Sequence, residues 1–414
     1  MAREPGEWRR LSLSFAYFAL LLASYYLIRP VRDALAAGSG AASIKYLATA
    51  VFVVMLAIVP VFGALVARVR RTRLLPLTYA FFAANLVAFA VLFRLDPDAV
   101  WAGRVFYVWT TVFNLFVVSV FWSFMADIWR EEEGRRLFGV IAAGGSLGGI
   151  VGPLAARTLA GTVGTSGLTL IAAALLALTI VTIVLLAGET RAAAPGRGAS
   201  LQRLDAPVGG AIFAGLSRLV ASPFLLGIAA LVALGSLLGM IVYIEMAKAA
   251  AAAFATVAER TAYYSQRDLW VNGASLALQL VVVGPLARRL GVRPLLAGAA
   301  ALALAAFAGL AAAPALGTLL AVNVTLRTTE FGIGKPSRDM LYTVVDAETK
   351  YKVKNVVDTV VYRGSDVLSG WIHAGLGLLG LSLAGIAACG TAVAALLAAI
   401  AWAVGTGYRR RGGA

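Results

Sequence analysis

The sequence predicts an all-α membrane protein: twelve transmembrane helices arranged as two pseudo-symmetric six-helix halves. Three observations predict it. Hydrophobic residues make up 61% of the 414-residue chain, charged residues only 14%, and mean hydropathy is +0.86; ordinary soluble domains carry about 25% charge. Apolar stretches of roughly 20 residues, the length that crosses a bilayer, recur from end to end. Basic residues gather in every second loop. This composition excludes a soluble enzyme, a disordered tail protein and a secreted disulfide scaffold. The single cysteine, Cys389, excludes an intramolecular disulfide and a cysteine-based metal site, and the single histidine, His373, excludes a His-rich one. No cofactor and no enzymatic activity are expected.

Hydropathy places the spans at 11–36, 43–67, 74–95, 104–127, 138–162, 167–188, 223–248, 263–287, 294–313, 316–345, 354–378 and 381–408. One set of loops holds Arg3, Arg9 and Arg10, Arg68 to Arg73, Arg130 to Arg136, Arg191 to Arg218, Arg288 to Arg293, Lys350 to Lys354 and Arg409 to Arg411. The opposite set holds only Lys45, Arg94, Arg104, Arg157 and Arg260. Positive charge favours the cytoplasmic side, so both termini of a multi-pass membrane protein are expected there. The same rule accounts for most of the net charge of +16 without nucleic acid as a partner. The first apolar segment is too long for a cleavable signal peptide and has no small-residue cleavage site.

The longest loop divides the chain into an N-terminal bundle (1–188), a linker (189–222) and a C-terminal bundle (223–414). The linker opens as a flexible Ala/Pro/Gly/Arg stretch. It continues with Leu201, Leu204, Val208, Ile212, Leu216 and Leu219 at helical spacing, an amphipathic helix suited to the inner leaflet. Three landmarks repeat at an offset of 219–220 residues: Arg73 with Arg293, Gly145-Ser146 with Gly364-Ser365, and Arg29 with Lys248. Two repeated halves are the arrangement of the major facilitator architecture, in which substrate is held at the midplane between them.

Charges inside the spans carry the functional reading. Eight are basic (Arg29, Arg32, Lys248, Arg267, Arg327, Lys335, Arg338, Arg363) and seven acidic (Asp33, Glu245, Asp268, Glu330, Asp339, Asp358, Asp366). Each costs about 2.5–3.5 kcal/mol at the bilayer centre, so each must be paired, near an interface or facing water. Arg32-Asp33, Arg267-Asp268 and Arg338-Asp339 are sequence neighbours. Neighbours diverge on a helix, so their partners are expected one turn away or on other spans. Arg327, Glu330 and Arg338 fall near one helical stripe, and Gly332, Gly334 and Pro336 weaken the helix between them. Arginines suit bidentate contacts to phosphate or carboxylate. The expected substrate set is Arg29, Arg32, Lys248, Lys335, Arg338 and Tyr25, to which the resemblance described below adds Glu245; the expected gate is Asp33, Asp339, Asp358, Arg363 and Asp366.

Other motifs have plainer readings. Gly144-Gly-Ser146-Leu-Gly148 fits a nucleophile elbow and Gly164-Thr-Ser166-Gly167 an intramembrane protease signature. The first lacks a preceding strand, and both would need the lone His373, which reads as a buried hydrogen-bonding histidine with proton coupling as the alternative. Gly144, Gly145, Gly148, Gly149 and Gly152 read as a face for close helix packing.

The stretches Tyr25-Tyr-Leu-Ile-Arg29-Pro-Val-Arg32-Asp33, Phe121-Trp122-Ser-Phe-Met-Ala-Asp127, Arg135 to Ser146, and Lys335-Pro-Ser-Arg338-Asp339 through Lys350 to Asn355, Asp358 and Arg363-Gly-Ser-Asp366 resemble the nucleotide (ATP/ADP) translocase family of bacteria and plastids and its broader bacterial relatives. The resemblance covers nearly all the spans. It implies a twelve-helix major facilitator fold and exchange of nucleotides, an antiport. It implies phosphate contacts at Arg32 and Arg338, and loosely a site acidic residue at Glu245, with Lys248 close by. An acidic residue that the family places in the fourth span is absent, and Thr110 or Thr111 stands there. That departure leaves room for another anionic substrate. The overall expectation is a monomeric secondary transporter of a small organic anion, with a nucleotide first. The alternatives are a proton-coupled transporter of a peptide, siderophore or drug, and a lipid translocator or membrane regulator on the same fold.

Overall fold

The computed structural model describes residues 6–68, 71–129, 131–192, 212–280 and 289–412. The described residues form helices, short 3-10 turns and π turns, with no strand among them. In chain order the helices are α1 (Glu7–Gly38), α2 (Ile44–Arg68), α3 (Arg71–Leu95), α4 (Val100–Ile128), α5 (Glu131–Ala192), α6 (Ile212–Ala221), α7 (Pro223–Ala253) and α8 (Val257–Leu278). They continue as α9 (Val292–Ala312), α10 (Leu316–Thr329), α11 (Lys335–Leu341), α12 (Ala347–Val356), α13 (Tyr362–Leu378) and α14 (Leu383–Arg410). Each expected span falls on helix, although 281–288 lie outside the described residues. Eight of the described helices are long and apolar enough to cross a membrane. The runs that fall short, α8 and the chains α10–α11 and α12–α13, carry ten of the fifteen intramembrane charges; the other five lie on α1 and α7.

Helix α5 contains two spans. Gly164 breaks it with φ 65 and ψ −173, a backbone conformation that glycine reaches without Cβ strain. Of the linker, α6 is described and carries Leu216 and Leu219; Leu201, Leu204 and Val208 lie outside the described residues.

The chain forms two compact units. Unit 1 gathers residues 1–39, 53–208 and 254–269; unit 2 gathers 40–52, 209–253 and 270–414. Within unit 1, α1 lies against α5 along the glycine face. A Cβ on Gly144 would stand 2.5 Å from the Phe15 carbonyl oxygen, and one on Gly152 2.7 Å from that of Ala23. Gly148 meets the Ala19 carbonyl more closely still. Small residues four apart let two backbones approach, as the sequence pattern implied. Tyr17, buried on α1, donates to Tyr79 Oη on α3 (2.7 Å), which donates to the Val117 carbonyl on α4 (3.0 Å). Two hydroxyls thereby tie three helices with no polar group left over.

Unit 2 is built on two apolar clusters. One joins Phe224, Ile228 and Val232 of α7 to Val292 and Leu296 of α9, Val356 and Val357, and Val404 of α14. The other joins Leu238, Ile241 and Val242 of α7 to Phe307 of α9, Leu319 of α10 and Ile386 of α14. Helix α10 passes into α11 through a π turn at Glu330–Gly334, and α12 into α13 through a second at Val357–Val361. The first falls where Gly332 and Gly334 weaken the helix; the second was not foreseen. A π turn adds a residue without adding a turn, and such turns are often found at functional sites.

Candidate functional site

The buried charges fall into several groups. In unit 1, Asp33 on α1 is 1% exposed and Arg267 on α8 2%. Asp33 Oδ1 accepts from Arg32 Nε (2.9 Å) and Nη2 (2.7 Å), and its Oδ2 accepts from Arg267 Nη2 (2.6 Å). Arg267 also donates from Nε (3.0 Å) and Nη2 (2.8 Å) to Asp268 Oδ1, and Arg29 Nη1 stands 3.7 Å from the same oxygen. Asp268 Oδ2 is buried and accepts no hydrogen bond. Three arginines thus face two aspartates, an excess of one positive charge in a site shielded from water. Aromatic faces spread that charge: Arg29 lies over Tyr26, Arg32 over Tyr107 and Arg267 over Tyr264, at 5.4, 5.0 and 4.9 Å from the ring centroids. Arg32 Nη1 reaches Thr111 Oγ1 at 3.4 Å, so a hydroxyl meets this guanidinium where the translocase resemblance leads one to expect a carboxylate.

The geometry corrects one expectation. Arg32 pairs with Asp33, and Arg267 with Asp268, directly along the chain. The flexible arginine stem folds the guanidinium back onto the next residue's carboxylate even though the Cβ atoms diverge. The pair between helices, Arg267 with Asp33, is added to these neighbour pairs. Arg338 behaves as expected of a divergent neighbour. It leaves Asp339 and binds Glu330, Nη2 to Oε1 at 2.8 Å and Nη1 to Oε2 at 3.1 Å. The intervening π turn brings these positions, eight apart, onto one line. Asp339 accepts instead from Lys354 Nζ at 2.7 Å. Asp358, on the second π turn, lies within reach of the charges of Lys354, Lys335 and Arg338.

Two more groups lie between α7 and α13 in unit 2. Ser236 Oγ donates to Asp366 Oδ1 at 2.5 Å, and Arg363 Nη1 stands 3.5 Å from Asp366 Oδ2. Further along both helices, Glu245 Oε1 accepts from Lys248 Nζ (2.6 Å) and lies 2.6 Å from His373 Nε2.

Of the expected substrate set, Arg29 and Arg32 meet in unit 1, joined by Asp33, which had been assigned to the gate. Lys248 and Glu245 meet in unit 2. Tyr25 is buried and packs edge-on against Tyr26 at 5.1 Å. Among the gate residues, Arg363 and Asp366 pair, while Asp339 and Asp358 gather around the π turns. The expected set omitted Arg267 and Asp268, although Arg267-Asp268 repeats the Arg32-Asp33 dipeptide and could have been found by that likeness. It also omitted His373 as the partner of Glu245, which no sequence spacing signals.

The family model of the Major Facilitator Superfamily matches residues 6–334. No curated protein matches the chain by sequence. Among solved structures, the chain is similar to a bacterial homolog of the human lysosomal transporter Spinster, in an inward-facing and unoccupied conformation. The TM-score is 0.63 at 14% identity, covering 99% of each chain. It is similar to the POT family transporter PepTSo, with a TM-score of 0.62 at 12% identity over 97% of this chain and 98% of the other. It is also similar to the nucleoside transporter NupG, with a TM-score of 0.60 at 14% identity over 97% and 99%. At these identities the likeness is one of fold.

Proposed function

The chain belongs to the major facilitator superfamily, a membrane transporter and not an enzyme, and from that premise we propose that it is a secondary transporter of an organic anion, with a nucleotide or nucleotide-like phosphate as substrate. The observation that supports the reading best is the unit 1 cluster, in which Arg29, Arg32 and Arg267 outnumber Asp33 and Asp268. A buried site with one surplus positive charge gains from an anion and loses from a cation. Arg32, the least buried of the three arginines at 11%, is the one from which a phosphate is taken up. Arg338, Lys335 and Lys248 of unit 2 are the further cations of the substrate set, and Glu245 is the counter-ion that holds Lys248 ready. Asp339, Asp358, Arg363 and Asp366 serve the gate. The protein works by alternating access as a monomer in the bacterial inner membrane, with a nucleotide antiport as the first form of the cycle.

Purified protein in proteoliposomes tests this. Uptake of labelled ATP, ADP, AMP and inorganic phosphate is compared with that of an uncharged nucleoside and a cationic dye. Saturable uptake of at least one phosphorylated solute is expected. One charge-assisted hydrogen bond contributes about 1.5–3 kcal/mol, so Arg32→Ala or Arg338→Ala should weaken apparent affinity roughly ten- to hundredfold. Lysine keeps the charge but loses the planar fork, so Arg32→Lys should recover only part of it. Uptake confined to uncharged or cationic solutes removes the anion reading.

A further inference from the structure

We propose that Glu245 and His373 form a proton-binding pair that couples anion movement to proton movement, with Lys248 as the group that answers to both. The proposal rests on the anion reading alone; it names the coupling ion and puts proton symport in place of nucleotide exchange as the cycle. It starts from an unusual sharing of one atom. Glu245 Oε1 lies 2.6 Å from Lys248 Nζ and 2.6 Å from His373 Nε2. Glu245 and His373 are 7% and 4% exposed, beside the apolar cluster of Leu238, Ile241 and Val242, whereas the Lys248 side chain is 46% exposed. His373 is the only histidine in the chain, and imidazole is the side chain whose ordinary titration falls within the physiological range.

Charge balance gives the mechanism. With His373 neutral and donating its Nε2–H, the carboxylate and the lysine cancel and the triad carries no net charge. A proton taken up at Nδ1 makes the imidazolium, and the triad becomes positive by one. Two cations then compete for one carboxylate oxygen. Lys248, at the exposed edge, is released from full neutralisation and presents its charge to an anion. A bound anion, in turn, favours the added proton. Linkage requires each to raise the other's affinity by the same factor. Proton and anion therefore enter the triad together and leave it together. No bond other than the transferred N–H forms or breaks.

The remaining charged groups around α7 leave this triad as a unit of its own. On α13, Asp366 and Arg363 lie seven or more positions before His373 and pair with each other and with Ser236. Arg327 on α10 acts on Tyr362 and Asp366 at that same second group. Asp358 sits on the π turn that packs with the first half of α7. Lys45, at the start of α2, lies with its backbone against Gly370 and its Nζ over Trp371 (4.7 Å) and Tyr46 (5.0 Å). By helical rise, Ser236 and Glu245 are roughly 13 Å apart along α7, beyond direct hydrogen bonding.

The lone histidine makes the first measurement clean. Nitrogen-15 histidine labelling of the full-length protein in nanodiscs gives one imidazole to follow against pH. Adding 5 mM ATP, AMP or inorganic phosphate is expected to shift its midpoint upward, and Lys248→Met is expected to abolish that shift. The second measurement is transport. With the membrane potential clamped, an acid-outside gradient of one pH unit should drive about tenfold accumulation of the transported anion for one coupled proton. His373→Asn keeps a donor for Glu245 but takes no proton, and should hold accumulation near unity. Anion uptake that ignores the pH gradient, with an imidazole midpoint indifferent to anions, overturns the coupling and leaves the anion reading standing. No uptake of any anion by the wild-type protein removes the anion reading and the coupling with it.

Discussion

Arg267 has two buried carboxylates as partners, and its removal tests what the unit 1 cluster contributes to folding. Arg267→Ala takes from Asp33 its hydrogen bond across helices and leaves Asp268 with Arg29 at 3.7 Å. Breaking one side of a buried ion group costs about 3–5 kcal/mol, because the partner charge stays buried without its neutraliser. Thermal unfolding in detergent should show that loss for Arg267→Ala. The double variant Arg267→Ala with Asp33→Asn should recover part of it, since the stranded charge is gone. Equal stabilities for the two variants would mean that solvent already reaches the cluster. Arg29, Arg32 and Asp33 were legible because an Arg-Pro-x-Arg-Asp run in an apolar span is expensive and therefore purposeful. The pairing was less legible: side-chain length let Arg32 and Arg267 bind their own chain neighbours, which Cβ direction alone forbids.

Helix α6 shows how an element is held by charge. Arg218 donates from Nη1 to Thr349 Oγ1 at 2.7 Å, and its Nη2 pairs with Glu348 at 2.9 Å. These partners lie at the start of α12, whose N-cap Asp346 accepts from the Thr349 backbone N–H. The Lys352 ammonium and the Arg218 guanidinium hold the Glu348 carboxyl below the usual carboxylate range, and the Thr349 N–H does the same for Asp346. A depressed carboxyl contributes its stabilisation above its ordinary range and loses it as pH falls through the folded value. Docking of α6 on α12 should thus persist at neutral pH and weaken below about pH 4. Hydrogen exchange of residues 212–221, corrected for the intrinsic rate, should rise there, and Arg218→Ala should raise it already at pH 7. An exchange rate indifferent to both changes would show that apolar packing alone holds the helix. The linker's amphipathic character was legible from its spacing; its docking partner was not, because Arg218 and Glu348 are separated by most of a bundle in sequence. The glycine face of α5 was legible at Gly144, Gly148 and Gly152, since only small residues at that spacing admit a carbonyl of α1. Gly148→Leu should prevent accumulation of folded protein, measured by size-exclusion of the detergent extract, while Gly139→Ala, where a Cβ meets nothing, should be tolerated.

At the scale of the whole chain, the superfamily was legible from hydropathy, charge bias and a repeat offset, because a bilayer constrains element length and loop charge far more than water does. The membership of the compact units was not legible, since residues 40–52 and 254–269 follow tertiary contacts that no local pattern records. Orientation follows from charge placed by structure. In unit 1, Arg136 pairs with Glu7 (2.7 Å), Arg10 with Glu133 (3.8 Å) and Arg9 with Glu189 (3.0 Å). The start of α1, the start of α5 and the end of α5 therefore share one end of that unit, and it is the end rich in arginine. The far end of α1 meets Arg260 at Gly38, in the poorly charged loop set. In unit 2, Arg411 lies over Phe224 and Arg293 over Trp402, so the C-terminus shares an end with the starts of α7 and α9. Each unit has one basic end, and each terminus emerges from it. Given the bias of Lys and Arg toward the cytoplasm, the prediction is that both termini lie on that side. Replacing Cys389 with serine gives a cysteine-free chain, into which Arg9→Cys or Arg410→Cys introduces a single reporter. A membrane-impermeant maleimide should label neither reporter in intact cells and both after permeabilisation, while Asp98→Cys, in the α3–α4 loop, which holds no Lys or Arg, should label in intact cells. Labelling of Arg9→Cys in intact cells, with Asp98→Cys protected, would invert the orientation for the chain as a whole.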